Sequence, residues 1–175
     1  MRNFPSSADL SKEQRAIYSE HLESALLITG PPGTGKTVMA IMRAQRLVDE
    51  NKNSTKILMF NKTLREFTKT QAVGIEVETF ISYIMKKYKV RNDQLNQNGQ
   101  FLPWHIIYNN TKRYLNTEEL KRIFPPQVII DEGQDFPKDL WEILSEIWIK
   151  LKKDGIKFSP TVMADENQRL NTEEN

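Results

Sequence analysis

Gly30-Pro31-Pro32-Gly33-Thr34-Gly35-Lys36-Thr37 spells G-x-x-x-x-G-K-[ST] without a mismatch, between an apolar run and an amphipathic one. No other stretch narrows the possible folds of the chain so far. Glycines let a backbone wrap a phosphate with its N–H groups inward, a geometry that most side chains block. Such a loop has to leave a strand and open a helix, whose N-terminal end adds positive potential. The flanks agree. Ala25 to Thr29 (ALLIT) is a short continuous apolar run, as in a buried parallel strand, and Lys36 to Asp49 reads as a helix. Lys36 is placed to set an ammonium between the β- and γ-phosphates of a bound triphosphate, and the Thr37 hydroxyl to ligate magnesium. Gly30, Gly33, Thr34 and Gly35 complete the cradle. A chance Gly-Pro turn is disfavoured by this strand-to-helix context.

The rest of the chain repeats the alternation. Lys56 to Phe60 (KILMF), Gly74 to Glu78 (GIEVE), Val128 to Ile130 and Lys157 to Met163 read as further strands. Asn61 to Thr70 and the residues around Ile84 and Met85 read as helices. Leu140, Ile143, Leu144, Ile147, Trp148 and Leu151 recur at the spacing of one apolar helix face. The expected fold class is α/β: a three-layer P-loop domain with a mostly parallel central sheet. Residues 86–123, rich in Asn, Gln and Lys and interrupted by Gly99 and Pro103, read as a small helical insertion. At 175 residues, with 38% hydrophobic and 27% charged, the chain fits one ordinary domain and is not disordered. Lysine and arginine number 25 against 23 acidic residues, so any polyanion has to be met by a local patch. The absence of cysteine excludes disulfides and thiolate metal sites. The sequence offers neither a signal peptide nor a membrane-spanning run, so a cytoplasmic protein is expected.

A second motif supplies acids. Val128-Ile129-Ile130-Asp131-Glu132-Gly133-Gln134-Asp135 is an apolar strand that ends in carboxylates. Asp131 stands where a strand-terminal carboxylate holds magnesium, directly or through water. Glu132 is placed to orient and deprotonate an attacking water. A kinase has less need of that second acid, so the pair favours hydrolysis. The plainer reading is a solvated acidic turn in which Asp135 caps the next helix.

With both motifs quoted, the chain resembles superfamily I helicases of the UvrD/Rep/PcrA-like branch along nearly its whole length. Leu10-Ser11-Lys12-Glu13-Gln14-Arg15-Ala16 looks like the Q motif, which implies that Gln14 reads adenine and that the nucleotide is ATP. The same Ser11-x-x-Gln14 spacing is also a helix capping box. Phe60-Asn61-Lys62-Thr63 is similar to motif Ia and Val77-Glu78-Thr79-Phe80 to motif Ib. The resemblance makes Phe60, Asn61, Lys62, Thr79 and Phe80 contacts for single-stranded DNA, with RNA not excluded, although both phenylalanines also suit a core. DEGQD matches the family's DExQD form of motif II. Ala164-Asp165-Glu166-Asn167-Gln168 looks like motif III, in which Gln168 contacts the γ-phosphate.

The resemblance implies a first RecA-like motor domain spanning 1–175, using ATP and Mg²⁺, that needs a second RecA-like domain to couple hydrolysis to movement. The chain stops at Asn175, whereas the related helicases continue into that domain and draw a transition-state arginine from it. The expectation for this chain alone is nucleotide binding, weak hydrolysis and no unwinding. Val38 stands where the branch often has an arginine on adenine, Ile81 where it often has histidine, and Asn171 and Glu173 where aromatics stack bases. The basic residues around Lys86 and Arg113 read first as a solvated helix face. Two rival readings are a stand-alone P-loop ATPase and a regulatory or decoy module that binds a helicase or nucleic acid. The four groups Lys36, Thr37, Asp131 and Glu132 are intact, which counts against the decoy.

Overall fold

A computed structural model describes residues 5–50, 55–88, 118, 127–136 and 138–166. Five short strands carry the continuous apolar runs: β1 (Leu26–Thr29), β2 (Lys56–Met59), β3 (Glu76–Thr79), β4 (Val128–Ile130) and β5 (Thr161–Ala164). They form one all-parallel sheet in the order β1-β5-β4-β2-β3. Parallel neighbours cannot be joined by tight turns, so the intervening chain crosses over as helices that cover the faces.

Alternate residues of the strands feed two separate cores. Ile57, Met59, Ile129 and Met163 point to one face, where they meet helix α2 (Lys36–Asp49) through Met39, Ala40, Ala44 and Leu47. Helix α1 (Lys12–Ser19) and α3 (Lys62–Gln71) add Ile17 and Leu64 to that side. Leu58, Val128 and Ile130 point to the other face. There they pack on Phe80 and Tyr83 of α4 (Phe80–Tyr88) and on Ile143, Leu144, Ile147 and Leu151 of α5 (Lys138–Lys153). The result is the three-layer α/β fold expected, with every strand running toward the same edge.

Boundaries follow local chemistry. Ser11 caps α1 with its hydroxyl, and Asn61 caps α3 by accepting from the N–H groups of Thr63 and Leu64 at 2.8 and 3.3 Å. A buried arginine, Arg43 of α2, ties the edge of the sheet together: its guanidinium donates to the Thr161 hydroxyl at 2.8 Å and to the carbonyls of His21 and Ser24. Some expectations shift. Trp148 is 44% exposed rather than part of the buried face of α5, and β5 begins four residues later than the apolar run. Pro160 has no N–H for a sheet ladder; its carbonyl instead accepts from the N–H of Leu26. The proposed insertion lies almost wholly outside the described residues.

Candidate active site

Parallel strands place their C-terminal ends along one edge, and the two motifs leave β1 and β4 there, separated in the sheet by β5. The loop after β1 turns on Gly33 (φ 81°) and Gly35 (φ 85°), both left-handed, and Gly35 is the N-cap of α2. The Lys36 ammonium donates to the carbonyls of Gly30 at 2.8 Å and Pro31 at 3.1 Å, so the lysine lies folded across its own loop. Thr34 closes the turn by donating its hydroxyl to the Pro31 carbonyl at 2.9 Å. Beside the loop lies a cavity of about 500 Å³ bordered by Gln14, Thr29, Gly30, Thr34, Lys36 and Glu166.

Gln14 braces this loop from outside. Its amide nitrogen donates to the Thr34 carbonyl at 3.0 Å, and its amide oxygen accepts from the Ser11 N–H at 3.0 Å. A Cβ on Gly35 would lie 2.9 Å from that amide nitrogen. Both ends of the amide that the resemblance assigns to adenine are therefore engaged with protein, and the capping box is real. Val38 is packed against the core beneath α2.

The β4 end carries the acids. Asp131 is fully buried; one carboxylate oxygen accepts from the Glu132 N–H at 3.1 Å, and the other, Oδ2, has no hydrogen-bond partner among the described residues. Burial pushes its carboxyl up to about 6; the Thr37 hydroxyl opposes the rise, the Glu132 charge adds to it, and the Lys36 charge opposes it. A buried, unpartnered carboxylate oxygen next to a threonine hydroxyl is an oxygen pair that fits magnesium on a polyphosphate, an ion that takes most of its ligands from phosphate and water, and the nearby lysine charge suits the phosphates themselves.

Glu132 has φ 56° and ψ 48°, the only left-handed residue other than glycine among those described. Such a conformation costs about 1–3 kcal/mol and has to be held by its surroundings. Its own carbonyl accepts from the Asp135 N–H at 3.0 Å, and further contacts help to hold it. The N–H of Asp131 donates to the Leu58 carbonyl at 2.9 Å, fixing the strand before it. The Gln134 amide nitrogen donates to a Glu132 carboxylate oxygen at 2.6 Å, fixing the side chain. Gln134 in turn accepts from the Asp165 N–H at 2.9 Å, just beyond β5. Gly133 lets this turn lie flat on β5: a Cβ there would be 2.8 Å from Val162 Cγ1 and 3.2 Å from the Met163 carbonyl. Glu166 closes the circuit by accepting from the Thr29 hydroxyl at 2.7 Å, at the end of β1. Sequence reasoning quoted Gln134 inside DEGQD without giving it a role; its spacing two residues beyond Glu132 was the available signal.

The residues assigned to nucleic acid divide. Asn61 and Lys62 are exposed at the C-terminal end of β2. Phe80 is 1% exposed, packed edge-on against Phe136, so its ring has no face free to stack a base. Phe60 is half-buried against the same Phe136, with centroids 6.0 Å apart. Thr79 is buried and its hydroxyl accepts from the Ser82 N–H at 3.2 Å, at the start of α4. Lys86 pairs with Glu78 at 2.9 Å. Gln168, Asn171 and Glu173 lie outside the described residues. No helix among the described residues is long and apolar enough to cross a membrane.

The profile of the AAA domain family matches residues 19–170. None of the curated proteins matches the chain. Among solved structures, the Pif1 helicase from Candida albicans aligns with a TM-score of 0.57 and 23% identity, over 89% of this chain and 32% of that one. The shared feature at that identity is the fold, and the chain spans about a third of the helicase's length.

Proposed function

Since the chain belongs to the AAA domain family, and is thus a P-loop ATPase domain, we propose that it is the ATP-binding half of a helicase-type motor, using Mg-ATP. The observation that carries this reading is the buried, unpartnered Oδ2 of Asp131 in the same site as Lys36 and Thr37.

In this reading Lys36 leaves the Gly30 and Pro31 carbonyls for the β- and γ-phosphate oxygens, and the left-handed glycines keep the loop N–H groups turned toward the phosphates. Thr37 and Asp131 would hold magnesium, which would supply positive charge to the polyphosphate. Glu132 accepts a proton from water as the water oxygen bonds to the γ-phosphorus and the bond to the β–γ bridging oxygen breaks, releasing ADP and phosphate. Gln168 senses the γ-phosphate. The side chains of Asn61 and Lys62, at the same edge of the sheet, meet the backbone of single-stranded DNA or RNA. Phe60, Thr79 and Phe80 support that surface from beneath.

Coupling to movement requires a second RecA-like domain, because the arginine that such a domain contributes is worth about 10³–10⁵ in rate. A stand-alone ATPase is the alternative for the same site. A module that keeps only the shape is disfavoured by the complete set Lys36, Thr37, Asp131 and Glu132.

Turnover of Mg-ATP, with and without single-stranded DNA or RNA, tests the reading, with Lys36→Ala as the blank. Mg-ATP binding by the wild type but not by Lys36→Ala, with slow turnover and no strand separation, is the expected result. Equal binding by both chains removes the phosphate-loop reading, and strand separation by this chain alone removes the half-motor.

A further inference from the structure

Gln134 lies on the short turn Gly133–Asp135, between the proposed base and the end of β5. We propose that Gln134 is a positioning residue: it aims the Glu132 carboxylate and links that aim to the position of the β5 end. The inference rests on the reading of Glu132 as the base that accepts the proton of the attacking water.

The geometry leaves the amide one orientation. The Asp165 backbone offers Gln134 a donor, and the ionised Glu132 carboxylate offers only acceptors. The nitrogen therefore faces Glu132 at 2.6 Å and the oxygen faces Asp165 at 2.9 Å; a flip breaks both bonds. Glu132 needs such a guide, since its left-handed backbone is a conformation that its own side chain does not favour. The anchor is well chosen. Asp165 follows directly on β5, the strand between the phosphate-loop strand and the acid-bearing strand. The next residue, Glu166, is tied to Thr29 at the end of β1. A displacement of this β5 end alters the Asp165 N–H, through it the Gln134 amide, and through that the carboxylate.

The isosteric change Gln134→Glu isolates the effect. It keeps an acceptor for the Asp165 N–H but sets a carboxylate against that of Glu132. The expected result is an ATP dissociation constant within about twofold of wild type and a kcat lower by about tenfold or more, a loss confined to the chemical step. In Gln134→Ala the Asp165 amide should exchange its hydrogen about tenfold faster or more, while Gln134→Glu keeps it protected. Glu132→Gln serves as the control for the base itself. Full turnover in Glu132→Gln removes the base reading. An inactive Glu132→Gln beside a Gln134→Glu of wild-type kcat removes the positioning role and leaves the base. If wild-type turnover does not exceed the Lys36→Ala blank, the side-chain amide resonances of Gln134 decide. They should shift in Glu132→Gln, and no shift, or unaltered Asp165 exchange in Gln134→Ala, overturns the link.

Discussion

Replacing Asp131 by asparagine sets stability against chemistry at one buried atom. The carboxyl is raised from 3.8 to about 6, a difference of about 2 units, chiefly by burial. At about 1.36 kcal/mol per unit, the ionised Asp131 costs the folded chain about 3 kcal/mol at neutral pH. Asparagine has the same shape and no charge to desolvate, although its amide hydrogens then stand where Oδ2 has no partner, a loss of about 1–2 kcal/mol. The net expectation is a gain of about 1–2 kcal/mol, or about 4 °C in melting temperature for a chain of this size. The pH dependence carries the sign. Below about pH 3.8 folded and unfolded chains both hold the proton and no penalty exists. Between that value and about 6 the folded chain keeps a proton that the unfolded chain has released, so this group's contribution to stability falls as pH rises. Above about 6 the penalty is complete. Thermal melts of both chains, free of nucleotide, at about pH 5 and about pH 8 read the difference directly. Asp131→Asn should melt higher at the alkaline point and nearly level with wild type at the acidic one. Its Mg-ATP turnover should meanwhile fall by about a hundredfold or more. An asparagine variant no more stable than wild type at the alkaline point, or equally stabilised at both, refutes the argument that burial of this charge dominates.

Two further substitutions probe the frame around the site. Gly133→Ala forces a methyl to within 2.8 Å of Val162 Cγ1, beside a backbone carbonyl that cannot withdraw, and should cost about 1–3 kcal/mol in a denaturant titration. An unchanged midpoint would mean that Val162, and the Trp141 ring 3.3 Å from the same methyl position, yield without cost. Gln14→Ala removes the bond to the Thr34 carbonyl and half of the capping box, so it should lower stability by about 1 kcal/mol. It should also weaken ATP and GTP binding to the same extent, because the amide braces the loop; a loss confined to ATP assigns adenine recognition to Gln14 instead.

What was legible in the chain was local, and what was not depends on which strand lies beside which. Val128 to Ile130 was read to the residue and α2 from Lys36 to Asp49, because a buried parallel strand and a capped amphipathic helix write their periods into consecutive positions. The third strand slid forward to Glu76, since Gly74 is left-handed and Ile75 still bonds to the turn at Ala72. Phe60 and Phe80 show the limit of motif transfer. The motifs fall at strand ends as expected, but the aromatic side chains turn onto Phe136, a residue that no local pattern links to either. The same limit governs the site. Asp131 and Glu132 stand out as candidates because they are adjacent at the end of an apolar strand, and Lys36 and Thr37 because their loop has a fixed spelling. The bond that anchors the Gln134 amide joins it to Asp165, 31 residues on, and exists because β5 lies beside β4. Strand order is a non-local choice, made where loop-closure entropy is outweighed by burial. The consequence is that the groups proposed for the chemistry are readable one motif at a time, whereas the group proposed to direct them becomes visible only when the sheet is assembled.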